Sequence, residues 1–263
     1  MQVSQGGEDG LIGLALDPEF STNGHLFLFY SHPTLQENRV ARFTVDSDGT
    51  FDDSTEEILL TVPSTHQCCH SGGSLQFGPD GLLYIGVGDM TNPFESSGYA
   101  PIDDRPGREI FDAQRSAANT DDLRGKILRV RPEADGGYSI PEGNLFSADG
   151  SQGRPEIYVM GNRNPFRFSV DAETGWVYWG EVGPDADASD SDRGPLGYDE
   201  FNQARGPGNF GWPHFIGDNE AYREWNFAGG AHGDFFDPAA PQNNSANNTG
   251  ATSLPPAQPA MIW

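Results

Sequence analysis

Lysine is almost missing from this chain: Lys126 is the only one in 263 residues, so nearly all of the fixed positive charge is arginine. Against 39 acidic residues the 15 lysines and arginines leave a formal net charge of −24, a balance that repels phosphate backbones and anionic lipid. Nucleic acid and membrane surfaces are therefore poor partners. High salt favours such a surface, because it screens the self-repulsion while carboxylates hold hydration water, and a halophilic source is inferred. Hydrophobic runs are short as well. No stretch approaches the roughly 20 apolar residues that span a bilayer, and the N-terminus has no basic region followed by an apolar one, so no signal peptide is visible. Cysteine is confined to Cys68 and Cys69. Neighbours in sequence can pair only as a strained vicinal ring, which would imply an oxidising, extracytoplasmic or secreted setting. The alternative is two reduced thiols buried for their volume.

What is abundant is glycine, 34 residues, and proline, 20, which favour many short strands joined by turns around a core that 35% hydrophobic content can supply. All-β is the expected class. The run CCHSGGSLQFGPDGLLYIGVGD, Cys68 to Asp89, carries a histidine into a strand, a tight turn and a second strand ending in Gly-Asp. Related passages occupy residues 13–32 and 165–185, and three in one chain point to repeated β-blades. One four-stranded blade is GLALD, HLFLFYS, RVARFTV and EEILLTV. A second starts at Ser74 with SLQFG and LLYIGVGD, is interrupted by a polar insertion from Met90 to about Asp122, and resumes with GKILRVRP. A third is expected to begin near Arg154 and to run through WVYWGEVG, YDEFNQA and GNFGWPHF. Long loops on one face account for the wide spacing of these blades, and that is where a site would be built. Three to four blades cannot close a ring, so residues 1–263 read as a partial β-propeller, a fragment whose other blades belong to a longer protein. Residues 239–260, rich in Pro, Asn and Ala, read as a surface loop leading to a strand at MIW, or as a disordered tail.

The ordered series GGEDGLIGLALDPEF, HSGGSLQFGPDGLLYIGVGD, LRGKILRV, GNRNPFRF, GEVGPDADASDSDRGPLGYDEFNQA and GNFGWP resembles the glucose/sorbosone dehydrogenase family, the soluble quinoprotein sugar dehydrogenases, over about Gly6 to Phe227. GPDG alone is a turn; the specificity lies in the ordered co-occurrence. The resemblance implies a six-bladed propeller and oxidation of a sugar with pyrroloquinoline quinone and calcium, electrons passing on to an external acceptor.

It further implies that His70 is the general base taking the sugar hydroxyl proton, a role that suits a group titrating near neutrality. Arg163 and Asn164, in GNRNP, match the pair that contacts the quinone. A permanently charged guanidinium suits both the cofactor's carboxylates and the charge its carbonyl oxygen gains, so Arg163 is also a catalytic candidate; outside the motif RNP would be a surface turn. Gly183 and Pro184 match the Gly-Pro whose backbone carbonyls bind the active-site calcium, where a Lewis acid assists the reaction. Val182 stands where the family often has glutamine or histidine, which removes a polar contact. Glu8 falls where the glucose enzymes place a sugar-binding glutamine, and Asp89 on their Gly-Asp aspartate; a carboxylate accepts but cannot donate, so substrate preference should differ. Cys69 replaces the aspartate before the catalytic histidine, and a vicinal disulfide there would form a rigid apolar platform beside the base.

Other groups have weaker context. His25, His32, His214 and His232 carry no comparable motif, whereas His66 is close enough in sequence to line the same mouth. Asp185, Asp187, Asp190 and Asp192 form an acidic loop that reads as solvated surface or as a calcium loop. Asp199, Glu200 and Asn202 continue the family's DExN pattern, structural or metal-binding. The family's later cofactor contacts, a lysine and two arginines, lie beyond this chain. Two alternatives stay open: a non-catalytic propeller that binds other proteins, and a calcium-dependent lactone hydrolase using metal-bound water.

Overall fold

A computed structural model describes residues 1–66 and 69–263; Cys68 lies outside them, and with it the expected vicinal pairing. The chain is nearly all β, the one α-helical turn among the described residues being Phe20–Asn23. Alternation builds the first sheet. In HLFLFYS, Phe27 and Phe29 point to one side and Leu26, Leu28 and Tyr30 to the other, and both sets are buried. The strands β1 (Leu11–Leu16), β2 (His25–Ser31), β3 (Glu37–Thr44) and β4 (Glu57–Pro63) pair antiparallel in sequence order, matching the four runs of the first expected blade.

The second sheet contains β5 (Leu75–Phe77), β6 (Leu83–Val87), β7 (Lys126–Pro132), its short arm β8 (Tyr138–Ser139), and β9 (Ile157–Met160). Here the structure corrects the expected boundary. IYVM closes the second blade against β7 and does not open the third, because Ile127 and Val159 pair across the two strands. The third sheet is β10 (Phe168–Val170), β11 (Val177–Glu181) and β12 (Glu200–Ala204). GNFGWPHF also departs from expectation. Its β13 (Gly208–Asn209) adds parallel to β9, and β14 (Phe215–Ile216) turns back on β15 (Glu220–Ala221). A further hairpin joins β16 (Arg223–Asn226) to β17 (Ala231–Phe235).

The middle sheet is buried on both faces. Leu83, Ile85 and Val87 pack toward the first sheet with Phe27 and Phe29, while Tyr84, Ile127, Tyr158 and Val159 pack toward Val177 and Trp179 of the third. Such face-to-face stacking of twisted sheets is how propeller blades bury their cores. Residues 239–260 are ordered. Asn243 Nδ2 donates to the carbonyls of Gln114 (2.7 Å) and Ala118 (3.0 Å), Leu254 enters the core, and Ile262 bridges Phe201 on the outer edge of the third sheet. The tail thus straps the insertion to the sheets.

Lys126 is sealed from solvent at the start of β7. Its ammonium donates to the carbonyls of Ser116 (2.8 Å), Ala117 (3.0 Å) and Arg124 (2.7 Å), tying the end of the insertion to the second sheet. Among the described residues no helix is long and apolar enough to cross a membrane.

Candidate active site

His70 follows β4 on an irregular segment with φ +66°, a left-handed conformation uncommon for a residue with a side chain. Its neighbour across the gap has to be glycine: a Cβ on Gly88 would lie 1.9 Å from the His70 carbonyl oxygen. That close approach brings the histidine against the end of β6. His70 Nδ1 is 2.7 Å from Asp89 Oδ1, and both groups are buried. Asp89 is held in turn by Thr91 N–H at 2.9 Å and by Trp212 Nε1–H at 2.8 Å. A carboxylate with this many donors acts as an acceptor, so the contact pairs it with Nδ1–H and leaves Nε2 as the ring nitrogen open to a proton.

Arg163 and Asn164 lie on the turn between β9 and β10, next to the same aspartate. The Asp89 amide donates to the Arg163 carbonyl (2.8 Å), and Gly72 N–H donates to Asn164 Oδ1 (3.0 Å). The Arg163 guanidinium is buried, stands 5.8 Å from the Trp212 ring and donates to the Val182 carbonyl at 3.3 Å, while its Nε has no partner. Gly183 and Pro184 line the narrow cavity that Arg163, Trp212 and Glu200 also face. Gly183 is again a necessity, since a Cβ there would lie 1.9 Å from the Tyr198 carbonyl oxygen. Asp199 accepts the Gly183 amide at 3.0 Å, which gives that residue a positioning contact. No backbone N–H of the described residues donates to the carbonyls of Gly183 or Pro184, and the Pro184 oxygen packs against Gly197, where a Cβ would come within 1.6 Å of it.

Glu8 reaches the same region from the N-terminal segment, accepting the Ser71 amide at 3.0 Å. With Asn164, Phe166, Arg167, Val182 and Phe201 it borders an open cavity of about 620 Å³. Val182 lines both cavities. His66 does not line either; its Nδ1 is 2.6 Å from Asp9 and its Nε2 2.8 Å from the Leu35 carbonyl. The aspartates at 185, 187, 190 and 192 are exposed, and among the described residues no group of three or more His, Cys, Asp or Glu is placed to hold a metal.

Two residues without an assigned role emerge as structural partners of the site. Trp212, quoted above only within GNFGWP, bridges Asp89 and Arg163. Glu181, at the end of β11, accepts the Asn164 amide and Trp179 Nε1–H (3.0 Å); burial, with Glu200 adding like charge, pushes its carboxyl up to about 8.

A match to the family model for glucose/sorbosone dehydrogenase extends over residues 1–254. The chain belongs to that family. It is similar to quinoprotein glucose dehydrogenase B of Acinetobacter calcoaceticus, 25% identical over 270 residues that cover 95% of this chain and 52% of the relative. The hedgehog-interacting protein of Homo sapiens is 32% identical over 64% of this chain and 23% of its own length. Among solved structures, a PQQ-bound aldose sugar dehydrogenase from Streptomyces coelicolor superposes with a TM-score of 0.57 at 26% identity, covering 82% of this chain and 51% of that one. The chain therefore spans about half the length of the sugar dehydrogenases it matches.

Beside the site of this family member, His214 is fully buried, stacked on Phe236 at 4.0 Å with its Nε2 3.1 Å from Gln114 Oε1. Burial holds its pKa down to about 3. The folded state then keeps it neutral where the unfolded chain binds a proton, so its contribution to stability is present above about pH 6.5 and lost as the pH falls toward 3, by at most about 1.4 kcal/mol per unit. Melting curves between pH 7 and 4 should fall more steeply for the native protein than for His214→Gln; parallel curves would disprove this.

Proposed function

We propose that this chain supplies the base, part of the quinone cradle and the calcium carbonyls of a quinone-dependent sugar or aldose dehydrogenase, in which hydride leaves the carbinol carbon of a sugar while the hydroxyl proton goes to His70. The observation that carries this reading is the buried relay His70–Asp89–Trp212, which ends beside Arg163. Asp89 fixes the tautomer, Nε2 receives the proton, and the aspartate stabilises the imidazolium that results.

The residues present fit the implied groups. A buried guanidinium with an unpartnered Nε suits an anionic, planar cofactor, and two main-chain carbonyls free of backbone donors suit a hard cation. Arg163 and Asn164 would hold the quinone, and Gly183 and Pro184 the calcium. When bound, the quinone is the hydride acceptor and the ion polarises its reacting carbonyl. Glu8, anchored by Ser71, is positioned to accept sugar hydroxyl hydrogen bonds at the rim, and Asp89, committed to His70, contributes to the substrate pocket through that ring. Electrons leave to an external acceptor, and an extracytoplasmic setting suits such chemistry.

The test uses the full-length protein that carries this chain. Reconstituted with quinone and calcium, it should reduce a redox dye on addition of aldoses. Lactone opening with calcium alone and no dye reduction would replace this reading with the hydrolase, and failure to bind quinone would favour a binding module.

A further inference from the structure

The hairpin β16–β17, the insertion and the C-terminal strap border a third, open cavity of about 450 Å³, and none of the candidate catalytic, cofactor or calcium residues lines it. That volume lies within the ordinary range of small-molecule sites, about 300–1,000 Å³. Its walls combine aromatic surface with polar groups that have hydrogen-bonding capacity to spare. Trp225 and Phe227 are partly exposed on one wall, and the Arg193 guanidinium, 4.5 Å from the Trp225 ring and 5.5 Å from Phe227, fixes their orientation from behind. The Glu224 carboxylate makes no hydrogen bond among the described residues and lies against Gly233, where a Cβ would come within 2.8 Å of Oε2. Asn226 spends its Oδ1 on the amides of Ala228 and Gly229, which leaves its Nδ2–H₂ unspent.

The floor is rigid. Ser245 Oγ donates to buried Asp112 at 2.6 Å, and Gln114 is held by His214. Charge narrows the ligand class. Asp104 and Glu224 are acidic, and the only guanidinium on the lining, Arg105, is committed to Asp103 through two contacts of 2.7 Å. An anion would be repelled. An aromatic face offers a surface for the C–H side of a pyranose, and the carboxylate and amide groups on the same lining can take its hydroxyls.

We propose that this cavity is an accessory saccharide-binding site, separate from the catalytic cleft and able to hold a neutral oligosaccharide. It does not depend on the redox reading, because binding is measured without cofactor. Maltotriose and cellotriose are titrated in turn against the quinone-free protein by calorimetry and tryptophan fluorescence, with spermidine as a cationic probe. Saturable binding of a trisaccharide is expected, weakened at least tenfold in Trp225→Ala and in Asn226→Ala, and unchanged in Glu8→Ala, which removes the carboxylate proposed to contact sugar at the catalytic cleft. Asn226 is exposed, so its variant keeps the test valid if Trp225→Ala does not fold. Spermidine binding without saccharide binding, no binding of either trisaccharide, or affinity lost in Glu8→Ala but retained in Asn226→Ala would each overturn the proposal.

Discussion

Replacing His70 with glutamine should lower sugar-dependent dye reduction by about 10²- to 10⁴-fold while leaving quinone affinity nearly unchanged. Glutamine preserves much of the volume and a hydrogen bond toward Asp89, but an amide cannot take a proton from a hydroxyl near neutral pH. The loss should appear in kcat and kcat/KM together, because proton transfer belongs to the transition state rather than to ground-state binding. Stopped-flow reduction of bound quinone by glucose, compared in both proteins, measures this step directly. Equal rates would remove His70 from the mechanism, and the proposed dehydrogenase chemistry would then need another base.

The largest stability effect should come from Lys126→Met. The methionine fills similar space but leaves the carbonyls of Ser116, Ala117 and Arg124 without their shared donor, inside a region closed to water. Removing one member of a buried, hydrogen-bonded set costs about 3 kcal/mol, and at this chain length that corresponds to a melting temperature lower by roughly 6–12 °C. Two influences oppose one another at this amine. Burial pushes the pKa down to about 7, whereas three carbonyl acceptors favour the charged form. The geometry implies that loss of the acceptor contacts outweighs the desolvation that is relieved. A variant as stable as the native protein in thermal and urea unfolding would show the reverse.

Much of the architecture could be read from alternation. In β2 the sets Leu26, Leu28, Tyr30 and Phe27, Phe29 announce a strand with two buried faces, and the runs around it gave all four strands of the first sheet. The assignment of IYVM was harder, because four apolar residues in a row carry no period and nothing local says which sheet they join. The two-residue strand Gly208–Asn209 has no strand propensity at all; its place beside β9 is a tertiary outcome. The site divides in the same way. His70 and Asp89 sit 19 residues apart at opposite ends of one β-hairpin unit, a spacing the motif displays. Trp212 meets Asp89 across 123 residues, a contact visible only once the insertion and the second and third sheets have packed. In the sequence Glu181 is one carboxylate among many, and only burial distinguishes it.

The sealed position of the sole lysine has a practical consequence. Amine-directed acylating reagents have no exposed side-chain target on the folded molecule, so modification of Lys126 would require the end of the insertion to detach from β7. The extent of acylation with time, read by mass spectrometry at one peptide, would therefore report the opening free energy of that clamp in the unmutated protein.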